Sequence, residues 1–324
     1  MSSSIAHDKQ VTLQSGLIIS QLGLGTATLG GLFSAVSEED ASDVIHTALD
    51  AGISFFDTAP HYGKGTAERR LGRYLKGVPR SNYVLSTKVG RLLVPTENSK
   101  DLDFSNADQS VERHFDFSAA GIERALKESL ERLGQDFVEI VLIHDPDDYA
   151  DQAVNEAYPA LEKMRNQGLV KAIGVGMNQS AIATRFVNET CIDLVLIAGR
   201  YSLLDQSAAK DLLPAAQKRD VAIIAAGVLN SGILANPITG ATYEYAPASN
   251  EILHRAQVLK GVIKDFGISL TQAALQFPLQ HPAVKAVIVG CRTGHEVRDN
   301  IEAFDNPVPS QAWAALADLR SQIV

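Results

Sequence analysis

The sequence has little cysteine, no long hydrophobic run and no secretory leader, and each absence excludes a class of protein. Its 324 residues include two cysteines, Cys191 and Cys291, without a Cys-x-x-Cys pair, which excludes a disulfide framework and favours a reducing compartment. No apolar run approaches the roughly 18 residues of a membrane span. The first residues lack a basic segment followed by an apolar one. We therefore expect a cytoplasmic protein that does not insert into a membrane.

The net charge limits the kinds of partner that the protein can bind, and the length limits the number of its domains. The formal net charge is −9 and the basic residues form no block, so nothing in the composition favours nucleic acid or an anionic membrane. With 45% hydrophobic residues the chain can bury a large core. No linker or repeat divides it, so we expect one domain over residues 1–324, as a monomer or small homo-oligomer with a small-molecule substrate.

Short apolar segments alternate with amphipathic ones along the chain. The apolar segments are continuously hydrophobic, as parallel strands covered on both faces are. They lie at 22–25, 53–57, 83–88, 137–144, 170–176, 192–198, 221–225 and 286–290. The predicted helices lie at 37–51, 66–76, 118–133, 151–167, 179–189, 206–219, 250–267 with 271–279, and 295–304. This alternation predicts an α/β fold, a (β/α)8 TIM barrel, with an open doubly wound sheet as the alternative.

Two irregular segments interrupt this alternation. Residues 90–117 are polar and charged, and residues 230–249 contain two prolines together with Tyr243 and Tyr245. Irregular segments of this length in a compact domain are commonly functional. Both follow predicted strands, so we expect long loops that form walls of a pocket over the active face of the barrel.

Side chains capable of acid–base chemistry stand at the ends of consecutive predicted strands. Asp57 and Tyr62 follow the second strand, Lys88 ends the third and His144 ends the fourth. Each alone has an ordinary structural explanation, as a loop cap, a packed aromatic, a solvated lysine or a core histidine. The strand ends of a barrel meet on one face, so their shared position predicts that the four side chains converge in a catalytic site.

These residue types can together transfer a proton. A tyrosine is a poor base because its pKa is about 10, and a neighbouring lysine ammonium is expected to lower that pKa. Asp57 can balance the buried charge of Lys88. His144 can hydrogen-bond the substrate oxygen, and His61 is expected to contact the substrate. A Schiff-base aldolase that uses Lys88 is the alternative from another reaction class.

Other motifs give weaker signals for nucleotide, metal or nucleophile sites. The GLGTAT segment at 23–28 lacks the third glycine of a dinucleotide fingerprint, and we interpret it as a tight strand exit. The histidines and cysteines do not occur at metal-ligand spacing, so no metal is expected. Cys291 has no evident histidine partner and no GxSxG motif is present, which disfavours a cysteine or serine nucleophile.

The segment FFDTAPHYGKGTAERRLG, which holds Asp57 and Tyr62, resembles the signature of the aldo-keto reductases. STKVG supplies the family's lysine at Lys88, and LIHDPD supplies its histidine at His144. GIERALKESLERLGQDFVEIVLIHD resembles a second signature, and the resemblance extends over residues 22–304. It implies a (β/α)8 barrel that binds an extended nicotinamide cofactor without a Rossmann domain.

The resemblance also assigns cofactor contacts residue by residue. Gly25, Thr26 and Asp57 are expected near the cofactor, and Asn178 is expected to bond the nicotinamide amide. Ala226 stands where the family usually has an aromatic residue that stacks on the nicotinamide. The contacts expected for the phosphates and the adenosine are Gly290, Arg292, Thr293, Glu296 and Asn300.

One departure from the family pattern bears on the choice of cofactor. NADPH-specific members usually have an arginine four residues before the adenine-binding asparagine, where this chain has Glu296. A carboxylate repels a 2′-phosphate and can accept a hydrogen bond from a ribose hydroxyl. The resemblance therefore implies NAD, with NADP as the second cofactor that Arg292 and Arg298 can accommodate.

The segments IGVGMNQ, GRYSLLDQ and LNSGIL resemble the sugar-oxidising branch of the family. That resemblance implies oxidation of an aldose of the L-fucose, D-arabinose or L-galactose type at C1 to a lactone. The expected substrate contacts are His61, Tyr62, His144 and Tyr201, with Phe33 and Tyr243 as further pocket residues. Pyridoxal oxidation, general aldehyde or ketone reduction, and a dinucleotide-sensing subunit of a membrane channel are the alternatives.

Overall fold

The computed structural model describes residues 5–97, 99 and 103–323, with a closed barrel of parallel strands at its centre. In chain order the strands are β1 (Gln10–Thr12), β2 (Ile18–Ser20), β3 (Leu22–Gly25), β4 (Phe55–Asp57), β5 (Val84–Val89), β6 (Arg91–Pro95), β7 (Val111–Phe115), β8 (Ile140–His144), β9 (Ala172–Met177), β10 (Leu194–Ala198), β11 (Ala222–Ala226), β12 (Thr242–Tyr243), β13 (Ala246–Pro247) and β14 (Val284–Gly290). The helices are α1 (Glu38–Asp50), α2 (Thr66–Tyr74), α3 (Ala119–Leu133), α4 (Ala150–Gln152), α5 (Tyr158–Asn166), α6 (Ser180–Glu189), α7 (Leu212–Lys218), α8 (Asn250–Lys264), α9 (Leu270–Gln276), α10 (Gly294–Asp305) and α11 (Ser310–Ile323).

The barrel confirms the predicted (β/α)8 architecture and excludes the open sheet. Its strands follow the order β3, β4, β5, β8, β9, β10, β11 and β14, and β14 pairs again with β3. Every neighbouring pair is parallel. Each predicted apolar segment contains or overlaps one of these strands, because a strand covered by the barrel interior and by helices needs apolar residues on both faces.

Side-chain caps set several helix starts where the sequence predicts them. The Ser37 hydroxyl accepts from the Asp40 N–H at 3.0 Å and donates to the Asp40 carboxylate at 2.7 Å, which starts α1. The Ser118 hydroxyl caps α3 by accepting from the Gly121 N–H at 3.1 Å, and Gly134 ends that helix in the left-handed conformation. Each such cap stabilises a helix by about 1 kcal/mol. Of the helices that the structure describes, none is long and apolar enough to cross a membrane.

The two segments predicted as loops contain additional strands. Residues 90–117 were expected to be irregular, but β6 and β7 pair there as an antiparallel hairpin in which Arg91 faces Phe115. Residues 230–249 contain the short β12–β13 pair. The prediction was wrong for the hairpin because its strands are short and carry charged residues that hide the period-2 pattern. The N-terminal β1–β2 hairpin and α11 were not predicted either.

The N-terminal hairpin covers the end of the barrel at which the strands begin. Leu13 and Ile19 from this hairpin pack with the first residues of the barrel strands. Those residues include Phe55, Val84, Ile140, Ala172, Leu194 and Ala222. Two positions further along three of these strands, Leu142, Leu196 and Ile224 are also buried and apolar, as residues of barrel interiors are. The polar strand ends therefore lie on the opposite face.

Candidate active site

The turn after β4 holds Tyr62 on a tightly closed loop. Gly63, Lys64 and Gly65 follow Tyr62 in the left-handed conformation, with φ of 61°, 52° and 86°, and lead the chain into α2. A Cβ at Gly63 would lie 2.6 Å from the carbonyl oxygen of Gly30, so two backbones meet where a side chain has no room. The position of the tyrosine is thus determined by backbone packing.

The Lys88 ammonium joins three of the four predicted catalytic side chains. Its Nζ donates to Asp57 Oδ2 at 2.6 Å, to the Tyr62 hydroxyl at 3.1 Å and to the Thr58 carbonyl at 3.0 Å. Lys88 and Asp57 are only 1% and 3% exposed. Gly176 on β9 leaves space for the lysine, because a Cβ there would lie 3.1 Å from Lys88 Cε.

His144, at the end of β8, faces this cluster. Its ring lies edge-on to Tyr62 with the centroids 5.9 Å apart, and 6.0 Å from the ring of His61. Its Nε2 is 3.5 Å from Asp145 Oδ2, while its buried Nδ1 has no hydrogen-bond partner within the described residues. Burial, followed by the charge of Arg91, holds the pKa of His144 well below its usual value. The imidazole is therefore neutral at neutral pH and offers one N–H to a ligand.

Burial is also the largest influence on the pKa of the other three groups. It raises the pKa of Tyr62, although the Lys88 ammonium acts in the opposite direction. The net shift thus differs from the sequence-based expectation, while the effect of the lysine has the expected sign. Burial raises the pKa of Asp57 and Lys88 opposes it.

The lysine itself is held as a cation. Burial lowers the pKa of Lys88, but the charges of Asp57 and Tyr62 outweigh burial, so the pKa is raised overall. A Schiff base requires a neutral amine as nucleophile. The ion pair with Asp57 therefore disfavours the aldolase alternative.

An ion pair that was not predicted from the sequence lies beside His144. Arg91, the first residue of β6, donates from Nη2 to Asp145 Oδ2 at 2.5 Å, and the two side chains are 8% and 19% exposed. Asp145 has a φ of 38°, which is unusual for a residue other than glycine. The Phe115 ring packs 5.4 Å from Arg91 Cζ. The one sequence signal for this pair was the HDPD segment after the strand, where the second acid adjoins the predicted histidine.

The catalytic cluster opens into a cavity of about 490 Å³ at the strand ends. Its polar lining residues are His61, Tyr62, Lys88, Arg91, Asp103, His144, Asp145 and Asn178. Its remaining lining residues are Ala27, Leu32, Phe33, Phe104, Gly176, Met177, Leu196, Ala198 and Tyr245. A mixed lining of this size suits a small organic molecule. Among the residues that the structure describes, no group of His, Cys, Asp or Glu side chains could hold a metal ion.

The aromatic residues at the cavity differ in part from those predicted. Phe33 lines the cavity as expected and stacks on Tyr245, with the centroids 6.0 Å apart. Tyr201, a predicted substrate contact, does not line this cavity; it packs in the core against Phe277 at a centroid distance of 5.1 Å. Tyr243 is half-buried and does not line it either. Tyr245 lines the cavity instead, and it follows Glu244 in a turn where both residues have left-handed backbone.

The predicted cofactor residues at the strand ends are two glycines and a buried threonine. Gly25 and Gly290 are paired on β3 and β14. A Cβ at Gly25 would lie 2.8 Å from Ile288 Cγ2, so the position accepts only glycine without rearrangement. Thr26 is buried and donates its hydroxyl to the Asp57 carbonyl at 3.0 Å, which makes it a support for the catalytic loop. A Cβ at Gly290 would lie 3.1 Å from Thr28 Cγ2, so the side chains of Ile288 and Thr28 occupy the space beside the two glycines.

The predicted nicotinamide side of the site lies at the end of β9. Asn178 lines the cavity, and its carbonyl accepts from Arg200 Nε at 2.8 Å. Arg200 also pairs with Asp205 at 3.0 Å and with Glu244. The guanidinium therefore ties the end of β9 to the segment that carries Tyr245. Ala226 ends β11 beside Ala198 and places no ring at the site.

The start of α10 holds the remaining predicted cofactor residues. The Thr293 hydroxyl accepts from the Glu296 N–H at 3.2 Å, and the Glu296 carboxylate accepts from the Arg292 N–H at 2.8 Å and from its guanidinium at 3.0 Å. Asn300 donates from Nδ2 to the Cys291 sulfur at 3.3 Å. Burial raises the pKa of Cys291 to about 12, so its side chain is a thiol at neutral pH.

These residues fit a nicotinamide dinucleotide. Gly290 ends β14 directly before the turn into α10, in which Arg292 and Thr293 offer donors to an anion. The Gly294 N–H already bonds Asp43 Oδ2 at 3.0 Å. The carboxylates of Asp43 and Glu296 thus neutralise part of the positive end of this helix.

Known proteins with similar sequences and structures share this fold. A model of the aldo/keto reductase family matches residues 21–321. The chain is 42% identical over 314 residues to a D-threo-aldose 1-dehydrogenase from Pseudomonas sp., covering 94% of this chain and 95% of that protein. It is 37% identical to a pyridoxal 4-dehydrogenase from Microbacterium luteolum, covering 96% and 97%. The holo form of an aldo-keto reductase from Bacillus halodurans has a TM-score of 0.79 at 25% identity, covering 97% and 96%. The chain therefore belongs to the aldo/keto reductase family.

Proposed function

We propose that this oxidoreductase oxidises an aldose at C1 to a lactone, with NAD as the preferred cofactor. The observation that carries the proposal is the Lys88 ammonium bonded to both Asp57 and Tyr62, opposite the neutral imidazole of His144. Aldo-keto reductases use NAD(P)H, and the relative at 42% identity is an aldose 1-dehydrogenase.

Different side chains of the cluster bind the reacting oxygen of the substrate and accept its proton. When bound, the nicotinamide supplies the acceptor for the hydride from the substrate carbon. Tyr62 takes the proton of the C1 hydroxyl, and the Lys88 ammonium stabilises the phenolate that this requires. His144 donates Nε2–H to the same oxygen and orients it. Asp57 keeps the lysine charged and in place.

The cavity suits a neutral substrate with several hydroxyl groups. Its buried charges are paired, Lys88 with Asp57 and Arg91 with Asp145. Paired charges offer hydrogen-bond donors and acceptors without a net charge that would select an ionic ligand. A sugar can use both kinds of group, whereas a ring with a single polar edge leaves some of them unbonded.

The cofactor preference follows from the Glu296–Arg292 pair. Glu296 is held by two hydrogen bonds from Arg292, so its negative charge has a defined position at the start of α10. In that position it opposes a 2′-phosphate, and it also takes up the arginine that could bind one. We therefore propose NAD as the working cofactor, with Asn178, Gly290, Thr293 and Asn300 as further contacts.

Pyridoxal oxidation is the second candidate, because a pyridoxal 4-dehydrogenase is 37% identical to the chain and the same four catalytic residues would serve it. A general reductase would use the same residues in the opposite direction. A dinucleotide-sensing role remains an alternative without catalysis. We also propose a cytoplasmic location, which suits the exposed free thiol of Cys191.

The test measures, by absorbance, the reduction of NAD or separately of NADP. The substrates are L-fucose, D-arabinose, L-galactose, L-xylose and pyridoxal. Rapid NADH formation with one of the sugars is the expected result. Turnover of pyridoxal alone would replace the substrate class. Tyr62→Phe is expected to turn over roughly 10²–10⁴-fold more slowly while binding NADH with an unchanged Kd. Dinucleotide binding without turnover of any aldehyde, alcohol or sugar would favour the sensing role.

A further inference from the structure

The ion pair between Arg91 and Asp145 has no part in the proton transfer, yet it borders the reacting position. Arg91 Nη2 donates to Asp145 Oδ2 at 2.5 Å, and this oxygen lies 3.5 Å from His144 Nε2. Both side chains line the cavity. The pair is therefore adjacent to the atom that holds the substrate oxygen in the proposed function.

Several features of the pair are unfavourable for folding. Asp145 has left-handed backbone, with a φ of 38°. Arg91 Nε is buried and has no hydrogen-bond partner in the part of the chain that the structure describes. Buried ion pairs with unsatisfied atoms are generally no more stable than apolar packing at the same place. These costs indicate that the pair serves ligand binding rather than stability.

The surroundings hold the guanidinium in a fixed place. Arg91 begins the β6–β7 hairpin, and the ring of Phe115 on the paired strand lies 5.4 Å from Arg91 Cζ. Arg113, from the same hairpin, lies at the same distance from that ring. The guanidinium of Arg91 is therefore held by its packing against the hairpin. Asp145 is held by its position at the end of β8.

We propose that Arg91 and Asp145 bind the hydroxyl group next to the reacting carbon, which is the C2 hydroxyl of an aldose. The inference rests on the proposed function and adds the residues that determine its substrate class. Neighbouring oxygens of a vicinal diol lie about one hydrogen-bond length apart. An oxygen held at His144 Nε2 thus places the next one within reach of Asp145, which accepts its proton, and of Arg91, which donates to it.

The pair should therefore reject substrates that lack this hydroxyl. A site built to bond a hydroxyl discriminates strongly against the analogue without it, because its buried polar groups then stay unpaired. The wild type is expected to oxidise an aldose with kcat/KM about 100-fold or more above that of the corresponding 2-deoxy sugar.

The experiment compares an aldose with its 2-deoxy analogue in the wild-type holoenzyme and in Asp145→Asn. The variant is expected to lose about 100-fold in kcat/KM with the parent sugar and only a few-fold with the 2-deoxy sugar, so that discrimination collapses. Arg91→Lys keeps the positive charge but not the paired N–H donors of the guanidinium. It should reduce the discrimination between the two sugars by less than Asp145→Asn does. Asp148→Asn makes the same chemical change at an exposed position nearby and should leave discrimination intact.

The outcomes separate this inference from others. Equal losses with both sugars in Asp145→Asn would show that the residue acts through His144, and would overturn the proposal. Absence of 2-deoxy discrimination in the wild type would overturn it even if the variants do not fold. If the wild type oxidises no aldose, the proposed function fails, and the pair is tested by reduction of glyceraldehyde against propanal with NADH. Equal efficiency with these two aldehydes would then overturn the hydroxyl-binding role.

Discussion

Replacing Lys88 by methionine removes the cation from the catalytic cluster and leaves the buried Asp57 carboxylate without its partner. The methionine can occupy the space that Gly176 leaves beside the lysine stem, so the change is chiefly one of charge. Removing one member of a buried ion pair costs about 3–5 kcal/mol of unfolding free energy. At roughly 2 °C for each kcal/mol in a chain of this size, Tm should fall by about 6–10 °C.

The double variant Asp57→Asn/Lys88→Met separates stability from catalysis. It replaces the ion pair by two neutral side chains, so it should recover most of the lost Tm. It should not recover activity, because Tyr62 still lacks the ammonium that stabilises its phenolate. We expect oxidation to be slower by about 10²–10⁴-fold in both variants.

The stability loss in Lys88→Met should depend on pH. Burial raises the pKa of Asp57, and in the variant no lysine opposes it. A carboxyl group with a raised folded-state pKa destabilises the fold increasingly as pH rises from its unfolded pKa to its folded one. Calorimetry of both variants across the acid and neutral range should therefore show a Tm difference that grows with pH. A single variant as stable as the double one, or a double variant with restored turnover, would refute this reasoning.

Further predictions concern the pKa of Tyr62, the cofactor and a glycine contact. Because burial raises the pKa of Tyr62, kcat/KM for oxidation should rise with pH through the alkaline range, whereas kcat/KM for reduction should fall. A kcat/KM that does not change with pH in either direction of the reaction would contradict this. Glu296→Gln should raise the efficiency with NADP relative to NAD by about tenfold, measured as the ratio of kcat/KM values, because it removes the charge that opposes a 2′-phosphate and frees Arg292. Gly72→Ala should lower the free energy of unfolding by about 1–3 kcal/mol in urea titrations, since its Cβ would clash with the backbone carbonyl of Leu133, and a neutral result would show that α2 and α3 can separate without cost.

The barrel could be predicted because its signals are local. Each barrel strand is short, apolar and followed by an amphipathic segment, so period and order together indicate the architecture. The positions of Asp57, Lys88 and His144 followed from one topological fact, the convergence of strand ends. Their mutual geometry, with one ammonium between two partners, agrees with what that convergence predicted.

The walls of the site could not be predicted because they depend on long-range and conformational detail. Arg91 reaches Asp145 only because β6 and β7 form a hairpin, and charged residues mask the pattern of that hairpin. Tyr245 lines the cavity from a turn with left-handed backbone at two non-glycine residues, for which the sequence gives no signal, while Tyr201 packs in the core. The sequence revealed the Lys88 charge, which lowers the pKa of Tyr62, but not the degree of burial. Burial raises this pKa and outweighs the lysine.

The N-terminal hairpin that fills the base of the barrel also affects the order of ligand exchange. With Leu13 and Ile19 packed among the first residues of the strands, small molecules reach the cavity from the end where Phe33 and Tyr245 stack. In the proposed function, a dinucleotide and a sugar would then enter from the same end of the barrel. We expect the one that lies deeper to bind first and leave last, an order that product-inhibition patterns would reveal.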